Sequence, residues 1–169
     1  NMGVTLWALQ FHQAGLVDLV RDALARHGVA AERLTLEITE SIAMRDAEAS
    51  MDVLNRLVAL GVSISIDDFG TGYSSLMYLK RLPATELKID QGFVSQLEHD
   101  GDDAAIISAI VALAHKLGLN IVAEGVETPE QQDFLTRLGC NSLQGFLLGH
   151  PLPAAQFVTA NAHIHGAAA

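Results

Sequence analysis

The stretch from Val62 to Ser75 reads VSISIDDFGTGYSS, and it guides the interpretation of the whole chain. Val62 to Ile66 is a short apolar run typical of a buried strand, and Asp67 and Asp68 follow it directly. Two adjacent carboxylates at the end of a buried strand cost free energy unless a metal ion or a basic group neutralises them. Asp and Gly also favour turns, so a simple turn is the competing interpretation.

Short apolar runs of this kind recur along the chain and are separated by amphipathic segments. They predict strands at Val4–Trp7, Leu34–Ile38, Val62–Ile66, Leu87–Ile89, Ile121–Ala123 and around Leu143. Four of the helical patterns end at a glycine in the position of a helix C-cap, at Gly28, Gly61, Gly118 and Gly139. Near-continuous apolar strands that alternate with helices indicate an α/β fold with a parallel sheet covered by helices.

Two architectures fit this alternation, an open doubly wound sheet and a (β/α) barrel. A doubly wound sheet usually carries a glycine fingerprint after an early strand, and the sequence contains no G-x-G-x-x-G. Polar side chains instead recur at the carboxyl end of almost every predicted strand, at Glu37, Asp67, Asp68, Lys88, Asp90, Glu124 and Gln144. Barrel enzymes assemble their active sites from that rim, one or two residues from each strand, so a barrel is favoured.

The strand-end groups are mostly carboxylates, with one ammonium and one amide. Lys88 lies between Leu87 and Ile89, where a lysine needs a carboxylate partner or a ligand. Oxygen ligands suit Mg²⁺ or Mn²⁺ rather than zinc. Two such ions sharing an aspartate could activate water and stabilise charge on a phosphodiester. Residues 70–75 could cover phosphates or simply begin a helix.

Composition limits the classes of function. A chain of 169 residues with half of them hydrophobic fits one globular domain. The net charge of −10 argues against binding a DNA or RNA polymer through a basic surface. We expect no membrane span in this segment, because charges interrupt each apolar run. Cys140 is the single cysteine, so we expect a reduced thiol and a cytoplasmic location.

Five strings then give a family resemblance: LEITES, SIDDFGTGYSSL, LKID, VAEGVET and LQGFLLGHPL. In this order and with these separations, the sequence resembles the EAL domain of bacterial cyclic di-GMP phosphodiesterases from about Leu6 to Phe157. The resemblance implies a (β/α)8 TIM-like barrel, truncated here to about six strand–helix units. Residues 1–169 would then form a single partial EAL domain, with barrel units about 3 to 8 and a loose tail after about residue 160.

The resemblance also implies metal-dependent hydrolysis of cyclic di-GMP to pGpG with Mg²⁺ or Mn²⁺. The metal ligands would be strand-end carboxylates, namely Glu37, Asp67, Asp68 and Glu124, with Asp67 bridging and also facing the substrate. Thr5 stands where the family has an asparagine ligand, and a hydroxyl is the poorer ligand for a hard cation. The Glu-Ala-Leu motif and its following arginine are absent.

The remaining roles implied by the resemblance are catalytic and substrate-binding. Lys88 matches the lysine that contacts the attacking water and the phosphate, and Glu124 shares the catalytic role. Glu40 matches the glutamate that anchors the DDFGTGYSS loop, and Glu127 a supporting acidic position. Gln144 matches the amide at the edge of the substrate site. On their residues alone, the pair Glu37 and Glu40 and the pair Glu124 and Glu127 would most often belong to a solvated face or a helix start.

The altered ligand set leaves three interpretations: part of a phosphodiesterase, a non-catalytic cyclic di-GMP receptor, or a protein-interaction and dimerisation module. We expect the isolated chain to turn over cyclic di-GMP very poorly. We also expect a homo-oligomer, because an incomplete barrel leaves unpaired strand edges at Val4–Trp7 and around Leu143. A fused sensory or GGDEF domain upstream is a further expected partner.

Overall fold

The sheet is parallel and follows chain order. The computed structural model describes residues 2–70, 76–97 and 101–157. Its strands are Met2–Thr5 (β1), Leu34–Thr39 (β2), Ser63–Phe69 (β3), Glu86–Ile89 (β4), Asn120–Ala123 (β5) and Ser142–Leu143 (β6). Each strand pairs with the next one in the chain, in the order β1-β2-β3-β4-β5-β6. A doubly wound sheet would reverse this order at its switch point, so the prediction of barrel-type units is confirmed.

Helices connect the strands, as crossovers between parallel strands require. They are Ala8–Phe11 (α1), Leu16–His27 (α2), Glu40–Arg45 (α3), Ala47–Ala59 (α4), Leu76–Leu79 (α5), Gln91–Ser95 (α6), Gly101–Leu117 (α7) and Pro129–Leu138 (α8). Positive φ angles occur at all four predicted C-cap glycines, for example 62° at Gly28 and 94° at Gly139. Thr128 caps the N-terminus of α8, because its Oγ1 accepts a hydrogen bond from the backbone N–H of Gln131 at 3.2 Å.

The two faces of the sheet differ in polarity. In β2, Leu34, Leu36 and Ile38 are buried while the intervening residues, Thr35 and Glu37 among them, are partly exposed. Side chains alternate between faces along a strand, so one face packs against the helices and the other carries the polar groups. The expectation of near-continuous apolar strands was therefore wrong for β2. The helix-covered face supplies the core, whose fully buried members include Ile38, Leu54, Ile64, Leu87, Ile107 and Ile121.

The carboxyl ends of three strands differ from the prediction. β3 continues through Asp67 and Asp68 to Phe69, so the two aspartates lie inside the strand rather than after it. β2 continues two residues beyond Glu37, to Thr39. β1 ends at Thr5, and Trp7 lies beyond it with 77% of its surface exposed. The tryptophan does not fold inward over the edge of the sheet.

Both edge strands, β1 and β6, are short. No described helix combines the length and the apolar character needed to cross a bilayer. The glycine-rich loop at residues 71–75, the end of the chain after residue 157 and the predicted loose tail lie outside the described residues.

Candidate active site

A β-bulge in β3 places the paired aspartates. The register pairs Ile66 with Leu87 and then Phe69 with Ile89, so Asp67 and Asp68 together oppose Lys88. Asp68 has a φ of 54°, a left-handed conformation that costs a residue with a Cβ about 1 kcal/mol and that aspartate tolerates better than most. An extra residue re-aims neighbouring side chains, and bulges are frequent beside active sites. The bulge brings Asp67 Oδ2 within 3.2 Å of Lys88 Nζ.

Lys88 is the centre of the site. Its side chain is only 7% exposed, and Nζ lies 2.7 Å from Glu124 Oε1, 3.0 Å from Glu37 Oε2 and 3.2 Å from Asp67 Oδ2. The three carboxylates come from β2, β3 and the residue after β5, and β4 supplies the lysine between them. The carboxylate partners that a buried lysine requires are therefore present, and they gather residues that are distant in sequence.

The site carries more negative than positive charge. Burial alone would lower the pKa of Lys88, but hydrogen bonds with Glu124 and Glu37 raise that pKa above its ordinary value, so the ammonium stays charged. Burial raises the pKa of Glu124, and the nearby Asp67 and Glu37 add to it against the lowering effect of Lys88. One ammonium thus faces three carboxylates and neutralises only part of their negative charge. The charge that remains attracts a cation.

Asp68 extends this acidic rim. Burial raises the pKa of Asp68, and the charges of Asp67 and Asp90 raise it further against the lowering effect of Lys88. Asp90 follows β4 and caps α6, where its Oδ1 accepts a hydrogen bond from the Gly92 amide at 2.8 Å. The predicted strand-end acids therefore meet at one edge of the sheet.

Thr5 lies directly beside Glu37 in the pairing of β1 with β2. Its Oγ1 donates a hydrogen bond to Glu37 Oε2 at 3.2 Å, the same oxygen that Lys88 contacts. The sequence places Thr5 at the site but gives no sign of this bond, which needs the register of two strands about thirty residues apart. The metal-binding role of Thr5 stays a prediction.

Glu40 begins α3 and is 3% exposed. Its Oε2 accepts a hydrogen bond from the Gly70 amide at 3.3 Å, which ties α3 to the end of β3. Gly70 is the last described residue before the loop at residues 71–75, so this contact is where an anchoring role for Glu40 would act.

The remaining predicted residues line a cleft of about 160 Å³ next to Lys88 and its carboxylate partners. Glu124 forms its inner side, while Glu127 and Gln144 are exposed on its walls. Gln91, Phe146 and two glycines also line it, and sequence reasoning missed Gln91 and Phe146. The available signal was position, since Gln91 follows shortly after β4 and Phe146 shortly after β6. Two hollows away from the rim, of about 220 and 590 Å³, have no acidic side chain in their linings.

The donor set fits a hard dication by its chemistry. Carboxylate oxygens in excess over positive charge are the ligands that Mg²⁺ and Mn²⁺ prefer. Within residues 2–70, 76–97 and 101–157, no three acidic, imidazole or thiol side chains are already grouped around a metal position. Three of the carboxylates contact Lys88 Nζ instead.

Comparisons with known proteins agree with this arrangement. The family profile described as the EAL domain matches residues 2–151. The bifunctional diguanylate cyclase/cyclic di-GMP phosphodiesterase MucR of Pseudomonas aeruginosa is 69% identical over 158 residues, which are 94% of this chain and 23% of MucR. The cyclic di-GMP phosphodiesterase NbdA of the same organism is 49% identical over 155 residues, 92% of this chain and 20% of NbdA. The chain thus spans about a fifth of the length of these curated relatives.

Solved structures give the same result. The structure titled PaMucR phosphodiesterase, c-di-GMP complex, aligns with a TM-score of 0.91 and 69% identity, covering 93% of this chain and 64% of that one. Klebsiella pneumoniae BlrP1, solved as a manganese/cy-diGMP complex, aligns with a TM-score of 0.78 and 32% identity, covering 86% of this chain and 37% of that one. The matched profile, the relatives and the shared fold together show that this chain belongs to the EAL domain family.

Proposed function

We propose that the chain acts in cyclic di-GMP signalling, as the part of an EAL domain that binds cyclic di-GMP and carries most of its phosphodiesterase residues. The observation that supports this most directly is the buried Lys88, whose ammonium lies within 3.2 Å of three carboxylates at the carboxyl edge of a parallel sheet. The names of MucR and NbdA, and the c-di-GMP complex of MucR, support the choice of ligand.

The proposed cofactor is Mg²⁺ or Mn²⁺. The residues that would hold it are the acids of the rim, Glu37, Asp67, Asp68 and Glu124. The manganese complex of BlrP1 supports the choice of metal. A bound dication would supply a more acidic water and neutralise charge on the phosphodiester. A hydroxyl at Thr5 adds little to such a ligand set, so Thr5 belongs to it only as a replacement for the family asparagine.

The protein groups have separate roles in this proposal. Lys88 stays protonated and presents a fixed positive charge to the phosphate oxygens, which a preorganised site stabilises without reorganisation. Glu124 lies between the lysine and the cleft, where it can orient a water through a hydrogen bond. Gln144 and Glu127, on the walls of the cleft, would contact the ligand and its solvent shell. Glu40 fixes the end of β3 through Gly70.

We propose that turnover by this chain alone is weak. Thr5 replaces an amide ligand, and its hydroxyl donates to Glu37 at 3.2 Å. This same bond favours a second candidate function, a receptor that binds cyclic di-GMP without hydrolysing it. A GGDEF domain upstream is supported by the diguanylate cyclase in the name of MucR. A partial-domain organisation, a homo-oligomer and a cytoplasmic location complete the proposal.

The test combines binding and turnover in one set of variants. The chain with Mn²⁺ is titrated with cyclic di-GMP in a calorimeter, and pGpG is followed by chromatography. We expect binding by the parent, weakening of about tenfold or more in Asp67→Asn, and no change in the exposed Asp133→Asn control. Slow formation of pGpG by the parent would support a weak enzyme, and binding without pGpG would support the receptor. Absence of binding in Mn²⁺ would overturn both.

A further inference from the structure

Gly3 lies in the middle of β1, where glycine is an unfavourable choice. Glycine weakens a strand because it gives up more chain entropy than other residues and offers no side chain to pack. Positive φ would explain its presence, but Gly3 is absent from the glycines with left-handed backbone, which include Gly15 and Gly70. The backbone of β1 at this position is therefore open to any residue, and the reason for glycine lies in the space around it.

That space is filled by the carboxylate of Glu37. A Cβ added to Gly3 would overlap Glu37 Oε1 and lie 3.1 Å from Glu37 Cδ. The three heavy atoms nearest to it outside the neighbouring residues, Oε1, Cδ and Cγ, all belong to Glu37. Glycine inside a strand often marks a place where another group approaches closely, and here the group is one of the rim acids.

The carboxylate is held in this position from its other side. Glu37 Oε2 accepts hydrogen bonds from Thr5 Oγ1 at 3.2 Å and from Lys88 Nζ at 3.0 Å. Oε2 is thus fixed by two donors while Oε1 occupies the space above Gly3. A side chain at position 3 would force the carboxylate to turn, and turning would break contacts to Thr5 or Lys88.

We propose that Gly3 is a positioning residue, whose missing side chain leaves the space in which the Glu37 carboxylate is held for the site. Its consequence for cation binding rests on the proposed function, while the geometric role does not. Position 3 is exposed, so an alanine there meets no core packing that it could disrupt. The fold is therefore expected to accept the substitution.

The test is a double-mutant cycle on the full chain. Gly3→Ala is compared with the parent, and the same change is made in a Glu37→Ala background, where the carboxylate is gone. Gly149→Ala is the matched control, because an added Cβ there meets nothing within 4 Å and its φ is not left-handed. Free Mn²⁺ is measured by electron paramagnetic resonance during titration, and the midpoint of thermal unfolding is measured without metal.

We expect Gly3→Ala to weaken Mn²⁺ binding about tenfold, as changes that misplace a ligand do, and Gly149→Ala to leave binding unchanged. In the Glu37→Ala background, Gly3→Ala should have no further effect on Mn²⁺ binding. Parent-like binding by Gly3→Ala would overturn the proposal. The same would follow if the variant lost equal affinity with and without Glu37, since Gly3 would then not act through that carboxylate.

The thermal midpoint separates this proposal from the proposed function. If the parent binds no Mn²⁺, the proposed cofactor is wrong, and the midpoints alone decide the role of Gly3. Alanine is the better strand residue, so Gly3→Ala should raise the midpoint when Glu37 is absent. With Glu37 present, the displaced carboxylate should cancel that gain or reverse it. Equal shifts in both backgrounds would overturn the positioning role.

Discussion

Replacing Lys88 with methionine tests the electrostatics of the site most directly. Lys88→Met keeps the unbranched apolar part of the side chain but leaves the carboxylates of Glu37, Asp67 and Glu124 without their shared ammonium. Removing one partner of a buried ion pair costs about 3–5 kcal/mol. The three carboxylates keep 12–19% exposure, so the lower end applies, about 3 kcal/mol at pH 8. With a urea slope of about 2 kcal/mol per molar, the unfolding midpoint should fall by roughly 1.5 M.

The loss should depend on pH. In the parent, the pKa of Lys88 is raised by folding, so its stabilisation is fully present below the unfolded pKa and is lost only as the pH rises through the folded value. It is therefore constant between pH 5 and pH 8. In the variant, Glu124 loses the lowering effect of Lys88 on a pKa that burial already raises, so the folded state binds more protons. Stability of the variant then rises as the pH falls, so the difference from the parent is smaller at pH 5 than at pH 8.

The assay is urea unfolding followed by circular dichroism at pH 8, 6 and 5, on the parent, Lys88→Met and the exposed-lysine control Lys80→Met. The control should change the free energy of unfolding by less than about 0.5 kcal/mol. An equal loss for Lys88→Met at pH 8 and pH 5 would refute the account, because it would trace the effect to packing rather than to uncompensated charge. So would a loss at pH 8 no larger than that of the control.

Three further predictions concern single positions. Asp68→Asn should raise the free energy of unfolding by roughly 0.5–1 kcal/mol at pH 7, because folding disfavours the charge of Asp68 and because asparagine accepts a left-handed φ. Chemical denaturation measures this, and a loss of stability would contradict it. Gly145→Ala should cost about 1–3 kcal/mol by the same measurement, because its Cβ would come within 2.6 Å of the Val126 carbonyl carbon and overlap that backbone, whereas Gly149→Ala should cost little. Burial raises the pKa of Cys140 to about 11 from an ordinary 9.0. Iodoacetamide at pH 8 should therefore alkylate Cys140 about 100-fold more slowly than a free thiol, and the rate should rise with pH. Alkylation at the rate of a free thiol would exclude a buried one.

Local patterns in the sequence predicted most of the fold. All six strands and the four glycine-capped helices are present, because period, capping and glycine placement are properties of neighbouring residues. The same reasoning predicted a carboxylate partner or a ligand for Lys88, and the structure places three carboxylates beside it. The charge at the rim could therefore be predicted from the sequence alone.

What could not be predicted depends on how separate strands align. The bulge at Asp67 and Asp68 exists only relative to β4, and nothing in the local sequence states that two residues of β3 oppose one of β4. The bond from Thr5 to Glu37 and the space above Gly3 likewise depend on the register of β1 with β2. Pairing register is set by the packing of the whole apolar face, so contacts on the polar face follow from residues that do not take part in them.

The polar edge of the sheet explains why stability and cation binding should oppose each other here. Burial raises the pKa of both Asp68 and Glu124, so folding the chain brings together charges that it partly disfavours, and one lysine compensates them incompletely. Such a site is tolerated when a ligand that binds only the folded state offsets this cost. Binding stabilises the folded state by about 2.7 kcal/mol when the ligand is at a hundred times its dissociation constant. The rim acids should therefore lower stability without a cation and raise it with one. A core built on the opposite face of the same strands can sustain this conflict, because its packing is independent of the charge on the rim.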